Sequence, residues 1–552
     1  MTTTAAGGPW DVPAEVRSRR SMLALAAVES GRLLRHPAVL AGTALSVWLL
    51  WRWSRGTVPV LHYADIATQF PLAPLAAAAL LATNLAVLRP HRDGAVDLYG
   101  ATRLSLARRT LAHLLSVLPL AALGAVLVVA DLAWLAGVPG SVGAPHIAEA
   151  ATGPALIVLG GWLGVLLGRV WRSVAVAPLV LVGLALGSLT LADLYIGGHD
   201  RRSWVWLGTL LRPVTIDPPP ATLLGRPATW HLVYLLGAAV VLGALAVWRS
   251  QAQARVRRRA QAVTVAVVVA ALAVTSGAAV VQTRPTSAAL ATRRAAAASD
   301  PAQQVCQRRG PAVYCVYPGF EPQIGLWEPT VRAVLAGVPP AATARAVPVT
   351  VAQRIGWPRL FEDEGEAGSA FDPSRAGDRL VAPVGTIWGR DSQALAATQA
   401  RLASNVAARV IGQPDRVLEP DGEQPKSSSD AAVGPSAPTG GCGAGAVVAL
   451  WLAARVSPHV AEGLRQQVTD PRFPTFTFVN DVDVDDVWWG ERAGRFALAL
   501  LERPGDQVAQ ALWRHWDLLT SPTTTLERLG ELVGVQPPPR QGPTSEVGGP
   551  VC

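Results

Sequence analysis

Seven mainly apolar stretches punctuate the first half of the chain: Pro37–Trp53, Gln69–Leu88, Leu111–Leu135, Pro154–Val170, Ser173–Ile196, Trp230–Trp248 and Ala262–Val281. A helix that crosses a bilayer needs about 20 such residues, so each stretch predicts a membrane-spanning helix, the first and fourth being short. Asp131 and Asp193 lie toward the ends of their stretches, where interfacial water lowers the cost of a carboxylate, and a pathway role is the alternative. Ahead of the first span, Ala14–Arg35 predicts a helix with Val16, Leu23, Ala27 and Leu34 on one stripe. Such a helix suits an interface, with an ordinary juxtamembrane helix as the alternative.

The pattern changes after Gln282. Thr283–Ala298 reads as a tether, and a compact unit begins near Cys306. Gln304–Tyr317 predicts two short strands around a turn at Arg309-Gly310, with Cys306 and Cys315 placed to form a disulfide. Cys442 and Cys552 form a second bridge or stay free. Further strand-like pieces are Ala346–Ala352, Leu380–Val384 and Thr475–Val479. Helical periodicity covers Leu326–Ala336, Gln393–Ile411, Ala444–Arg455, Val460–Val468, Val487–Glu502, Gln507–Leu519 and Thr524–Val533. Strands followed by helices point to an α+β domain.

The expected fold is thus an α-helical polytopic membrane protein of about seven transmembrane helices followed by an extracellular α+β domain. Its expected parts are a cytoplasmic N-terminus with an interfacial helix (1–36), a six-helix membrane domain (37–248) and an Arg-rich hinge with a seventh span (249–282). The extracellular domain (283–535) carries a disordered loop at 413–441, and 536–552 is a flexible tail.

Charge fixes the expected orientation. The formal net charge is +9. Residues 1–282 carry 23 Arg and 11 acidic residues, whereas the remainder has 24 Arg and one Lys against 28 acidic residues. The basic excess therefore sits in the apolar half, where Arg marks cytoplasmic loops, and not on a polar module that would bind nucleic acid. Alternate loops hold 17 Arg on one side (among them Arg17, Arg32, Arg89, Arg169 and Arg258) and six on the other (Arg52, Arg55, Arg201, Arg202, Arg212 and Arg226). The N-terminus is expected to be cytoplasmic, and seven crossings would leave everything after Gln282 outside. The first apolar stretch lacks a small-residue cleavage site and is expected to stay as an anchor.

Candidate chemistry is sparse. A Walker A loop needs a Lys to reach nucleotide phosphates, and the single Lys426 sits in Gly422-Glu423-Gln424-Pro425-Lys426-Ser427, which is not such a loop. His-Glu-x-x-His and Gly-x-Ser-x-Gly are absent. Asn480–Asp486 contains Asp-x-Asp-x-Asp, but an EF-hand counted from Asp481 would need Gly at Asp486 and Glu at Arg492. A helix N-terminus is the simpler reading of that run, and neither a metal, a resident cofactor nor an enzymatic activity is expected.

Asp97–Arg109 between the second and third spans has a break at Gly100 and a capping residue at Thr102 or Ser105. With the Leu34–Pro37 sequence Leu-Arg-His-Pro after an interfacial helix and six spans over Ala14–Trp248, this layout resembles the permease subunits of ATP-binding-cassette exporters that have an elbow helix and six spans. The resemblance implies that Tyr99, Gly100, Arg103, Arg108 and Arg109 belong to a loop coupling the membrane part to an ATPase. It also implies a separately encoded ATPase that binds the ATP, and a second permease subunit, identical or not. This chain has Asp93 and Asp97 but no Pro at 102–104, where many relatives have one. In the same family Ser203–Leu211 would fold partly back into the membrane, with a helix on the outer interface as the alternative. The leading expectation is an ABC permease subunit, an exporter, in the cell membrane. A receptor with an extracellular sensing domain and a membrane-anchored extracellular enzyme are the alternatives.

Overall fold

The computed structural model describes residues 14–100, 104–196, 207–208, 218–253, 258–284, 287–299, 303–345, 348–353, 381–412, 443–469, 491–521 and 523–539. Helices α1 (Ala14–Leu34) and α2 (Pro37–Trp53) meet at a 60° bend. The bend falls where Pro37 starts a new helix, and His36 caps it by accepting from the Ala38 N–H through Nδ1 at 3.2 Å. There follow α3 (Leu61–Ala67), α4 (Gln69–Arg92), α5 (Val96–Gly100), α6 (Leu106–Leu115), α7 (Leu118–Ala136) and α8 (Ile147–Ala150). Next come α9 (Thr152–Val170), α10 (Val176–Ile196), α11 (Ala221–Leu224), α12 (Ala228–Gln253), α13 (Arg258–Gln282) and α14 (Ala288–Ser299).

Among the described residues, five helical runs are long and apolar enough to cross a membrane: Leu61–Arg92, Leu106–Ala136, Ile147–Val170, Ala228–Ala252 and Arg258–Gln282. A sixth arises if the bent α1–α2 pair is one span. Seven were expected. The difference lies in α2, whose 17 residues qualify only together with α1, and in α10, whose described apolar part, Val176–Ser188, is short. The stripe expected on α1 is for the most part not the face that packs on the bundle. Leu23 and Ala27 are exposed, and Ala26, Glu29 and Leu33 are buried instead. A carboxylate on the packed face breaks the apolar periodicity from which a stripe is read.

The bundle is organised by α4 against α9. On α9, Gly160, Gly164 and Gly168 recur every fourth residue, so they share one face. A Cβ at Gly160 would meet Ala76 O at 2.6 Å, and one at Gly164 would meet Leu80 O at 2.2 Å and Thr83 Oγ1 at 2.3 Å. Without those carbons the backbones approach closely enough for Thr83 Oγ1 to donate to Gly161 O (2.9 Å) and Asn84 Nδ2 to Gly164 O (3.4 Å). Contacts rise together along both helices, Leu72 with Gly153 up to Val87 with Gly168, so α4 and α9 run parallel.

The second unit is a small sheet of β1 (Val305–Arg309), β2 (Ala312–Val316), β3 (Val349–Gln353) and β4 (Val381–Val384), in that order. β1 and β2 form a hairpin that turns at Gly310, and Cys306 lies opposite Cys315 and is disulfide-bonded to it. β2, β3 and β4 are parallel, with α15 (Ile324–Ala336) and α16 (Pro340–Arg345) carrying the β2–β3 crossover. The helices that follow are α17 (Ser392–Val410), α18 (Ala444–Ala454), α19 (Pro458–Thr469) and α20 (Glu491–Leu501). The last three are α21 (Gly505–Arg514), α22 (Trp516–Leu519) and α23 (Leu526–Val533).

All 11 residues of α18 are buried. It is too short to span a bilayer, so its all-round apolarity makes it the central helix of this core, beside Trp327, Tyr314 and Phe496. Burial, with Glu328 adding to it, pushes the Tyr314 phenol up to about 12, so it enters the core neutral. The expected tether is partly the helix α14, capped by Ser287 and with Leu290 buried. Residues 413–441, the expected strand Thr475–Val479, most of the tail, Cys442 and Cys552 lie outside the described residues.

Gly164→Val should lower stability by about 1–3 kcal/mol through overpacking, measured by reversible unfolding in mixed micelles. Gly183→Val, where a Cβ meets nothing within 4 Å, should leave it nearly unchanged; equal effects would remove the close contact.

Candidate functional site

Polar side chains concentrate at the two ends of the bundle. At one end α1 lies across α4 and α6. Glu29, 3% exposed, accepts from Arg32 Nη1 at 2.8 Å and from Arg89 Nη1 at 2.9 and 3.3 Å. A desolvated carboxylate requires such partners; Arg32 braces it within α1, and Arg89 joins α1 to the last turn of α4. Ser30 Oγ donates to Ser116 O at 3.3 Å, and the Arg108 guanidinium meets the Ser18 hydroxyl, joining α1 to both ends of α6. Thr110 and Ser250, 2.7 Å apart through their hydroxyls, bring the end of α12 to the same place.

The expected coupling loop runs along this end. Tyr99 and Gly100 close α5, and the Tyr99 side chain, like all of Arg103, lies outside the described residues. Ser105 caps α6 by accepting from the Arg108 N–H at 3.4 Å. Arg108 and Arg109 occupy the first turn of α6, which contains no acidic residue. The helix dipole disfavours cations there, so local helix stability does not account for their position. Of the five expected loop residues, the structure places Arg108 on α1 and Arg109 half-buried beside it in sequence.

The opposite end carries a second cluster. Asp65, with no exposed surface, accepts from the Ile66 N–H and the His146 N–H, both at 2.6 Å, which fixes the segment entering α8. Glu149 pairs with Arg226 Nε at 3.0 Å and accepts from Gln69 Nε2 at 3.4 Å. His62 Nε2 lies 2.8 Å from Pro219 O. A carbonyl can only accept, so Nε2 carries the ring proton. Its Nδ1 faces Gly143, where φ is +77° and a Cβ would come within 2.4 Å, so a side chain is excluded there on both counts.

The sheet-containing domain docks on this second end. Val58 N donates to Trp388 O (2.7 Å) and Arg390 N to Gly56 O (2.9 Å), flanking an antiparallel bridge of Thr57 with Gly389. Val58, Val60, Val142 and Leu223 share one core with Tyr317, Phe320 and Trp388. Phe320 meets His62 edge to face at 6.3 Å, and the Arg390 guanidinium lies 4.8 Å from the Trp134 ring centre. Asp131 accepts from Ser54 Oγ at 2.8 Å nearby, while the side chain of Asp193 is outside the described residues.

The sequence reading did not find His62, Asp65, Gln69, Glu149 or Arg226 as a cluster. Its signal is the placement of each just before an apolar stretch, where loop solvation was the natural assumption. Among the described residues no group of three or more His, Cys, Asp and Glu side chains could hold a metal. The Asn480–Asp486 run, the segment 203–206 and residues 209–211 lie outside them. No family model, characterised protein or solved structure matches the chain.

Arg226→Met should cost about 3–5 kcal/mol, because Glu149 keeps its burial and loses its partner. Arg226→Met with Glu149→Gln should recover at least half of that loss in a double-mutant cycle; additive losses would mean that the pair is not coupled.

Proposed function

We propose that this chain is the permease subunit of an ATP-binding-cassette exporter, driven by a separately encoded ATPase and paired with a second permease subunit. The observation that carries the reading is the bent α1–α2 pair. A helix turned 60° from its successor lies across α4 and α6 and touches the α5–α6 region through Ser18 and Arg108. A lever pressed by an ATPase needs such a helix beside such a loop.

A bilayer is supported by the surface of the bundle. Val263 (66%), Val269 (60%) and Val280 (60%) of α13 are exposed, as are Leu179, Val182 and Leu186 of α10. Apolar patches of this extent are rare on soluble monomers. The Arg excess of the α1–α6 end supports a cytoplasmic placement for it, and on this reading the sheet-containing domain lies outside the cell.

In this mechanism two membrane halves form a path between them, and closure of the ATPase dimer pulls on α1 and on residues 99–109. Moving the two states from 1:99 to 99:1 requires about 5.5 kcal/mol of differential binding. Arg108 and Arg109 supply charge for an acidic face of the ATPase from a position that α6 alone does not favour. The second reading, a receptor with an outer sensing domain, is favoured by the direct docking of that domain on Gly56–Val60, which gives a bound ligand a route into the bundle.

Affinity purification of the full chain should retain a nucleotide-binding ATPase, and Arg108→Glu with Arg109→Glu should reduce its recovery at least about tenfold. Recovery without any ATPase, or undiminished in the variant, overturns the assignment. After mild reduction of intact cells, an impermeant thiol reagent should label Cys306, the exposed half of the disulfide; labelling only after lysis places the domain inside.

A further inference from the structure

Between α1, the start of α2 and the last turns of α4 lies a small open cleft of about 110 Å³. Its rim is basic, with Arg32, His36, Arg89 and Arg92, and its floor is apolar, with Leu33 and Leu85. The rim is braced from beneath. Glu29 holds Arg32 and Arg89 by one nitrogen each, their Nη1 atoms, which leaves further N–H groups on both guanidinium forks. One carboxylate thereby brings two cations together without matching their charge. Arg92 adds a third, with Asp93 Oδ1 3.7 Å from its Nε, so positive charge remains in excess. The Nδ1 of His36 accepts from Ala38 N, so its ring proton sits on Nε2 and the residue contributes a donor.

We propose that this cleft binds a phosphate group, specifically the headgroup of an anionic phospholipid. Guanidinium forks suit phosphate oxygens geometrically, and basic pockets between helices at a membrane face bind acidic headgroups. The apolar floor decides between sources. A free phosphate makes no use of the half-buried Leu85, whereas a lipid covers it with its glycerol and upper acyl carbons. Exposed Leu40 (56%), one turn beyond His36 on α2, continues that apolar surface along the bundle. A lipid seated there would bridge α1, α2 and α4 at the bend between the first two. The inference rests on the bundle lying in a bilayer and not on the transport reading, so a preparation without ATPase tests it separately.

The test uses the purified full chain in a neutral detergent, titrated with phosphatidylglycerol or phosphatidylcholine and read by native mass spectrometry. Phosphatidylglycerol should bind at least about tenfold more tightly, and Arg32→Gln with Arg92→Gln should abolish most of that preference. In that variant Arg89 still pairs Glu29, and an unchanged unfolding midpoint establishes that it folds. Arg52→Gln, at the opposite end, should bind as the parent does. Sodium phosphate at about 10 mM should leave the lipid bound. Equal binding of the two lipids, or an undiminished preference in the double variant, overturns the site. Displacement by inorganic phosphate overturns the lipid assignment in favour of the free anion.

Discussion

The bundle depends on two helices approaching without side chains between them. Where α9 presents Gly160, Gly164 and Gly168, the surface of α4 fills the space that Cβ atoms would take, and its Ala76 and Leu80 carbonyls come up against the α9 backbone. In hydrocarbon there is no hydrophobic gain in bringing apolar helices together, so association relies on dense contact and on hydrogen bonds between them. Thr83 and Asn84 supply the latter by donating to carbonyls of the glycine-rich face. The same contact forces α4 and α9 to run in parallel. It thereby sends the starts of both, with Gln69 and Glu149, to one end and their Arg-bearing final turns to the other.

Each end is then finished by a buried carboxylate. Glu29 ties α1 to α4 through Arg89, which is 28% exposed, and is braced within α1 by Arg32, 55% exposed. Solvent weakens that attraction but also lowers the desolvation cost. Glu149 and Arg226 are only 4% and 3% exposed, so their attraction is stronger and their desolvation larger. The first arrangement suits a joint that must flex, with charges able to exchange partners at modest cost. The second suits a fixed seat, and it lies beneath the segments that receive the sheet-containing domain.

What the sequence disclosed follows from which forces are local. The seven apolar stretches lie largely on helices, and Ser105, one of the two expected caps, caps α6, because burial periodicity and caps are written within a few residues. In the second unit α15, α17, α18, α19, α20 and α23 appear within a few residues of their expected limits for the same reason, whereas α16 was not expected and the expected helix Gln507–Leu519 is divided into α21 and α22 at His515. The packed face of α1 was hidden because Glu29 is buried by a partner 60 residues away, and polarity alone marks it as outward-facing. The four-residue spacing of Gly160, Gly164 and Gly168 was visible, but which helix would fill the gap was not. Likewise Asp65, Glu149 and Arg226 look like solvated loop residues until the chain closes and brings them together. The role of residues 99–109 came from a resemblance, and the structure adds to it the contact of Arg108 with Ser18 and no more.

Helix α4 contacts the buried carboxylate at each end. Its 24 residues extend about 36 Å at 1.5 Å per residue, from Gln69 on Glu149 to Arg89 on Glu29. Because α9 is locked along its length, α4 cannot bend locally without opening the glycine contacts. A displacement of α1 that is carried through Glu29 therefore has two outcomes. Either the exposed ion pairs yield, and α1 moves alone, or they hold, and α4 and α9 move as one body against the seat of the sheet-containing domain. Salt distinguishes these, since partly exposed pairs weaken as ionic strength rises while the buried Glu149–Arg226 pair is screened much less. Coupling between the two ends, if it runs through α4, is accordingly lost from the Glu29 side first, with the docked domain still seated on Gly56–Val60.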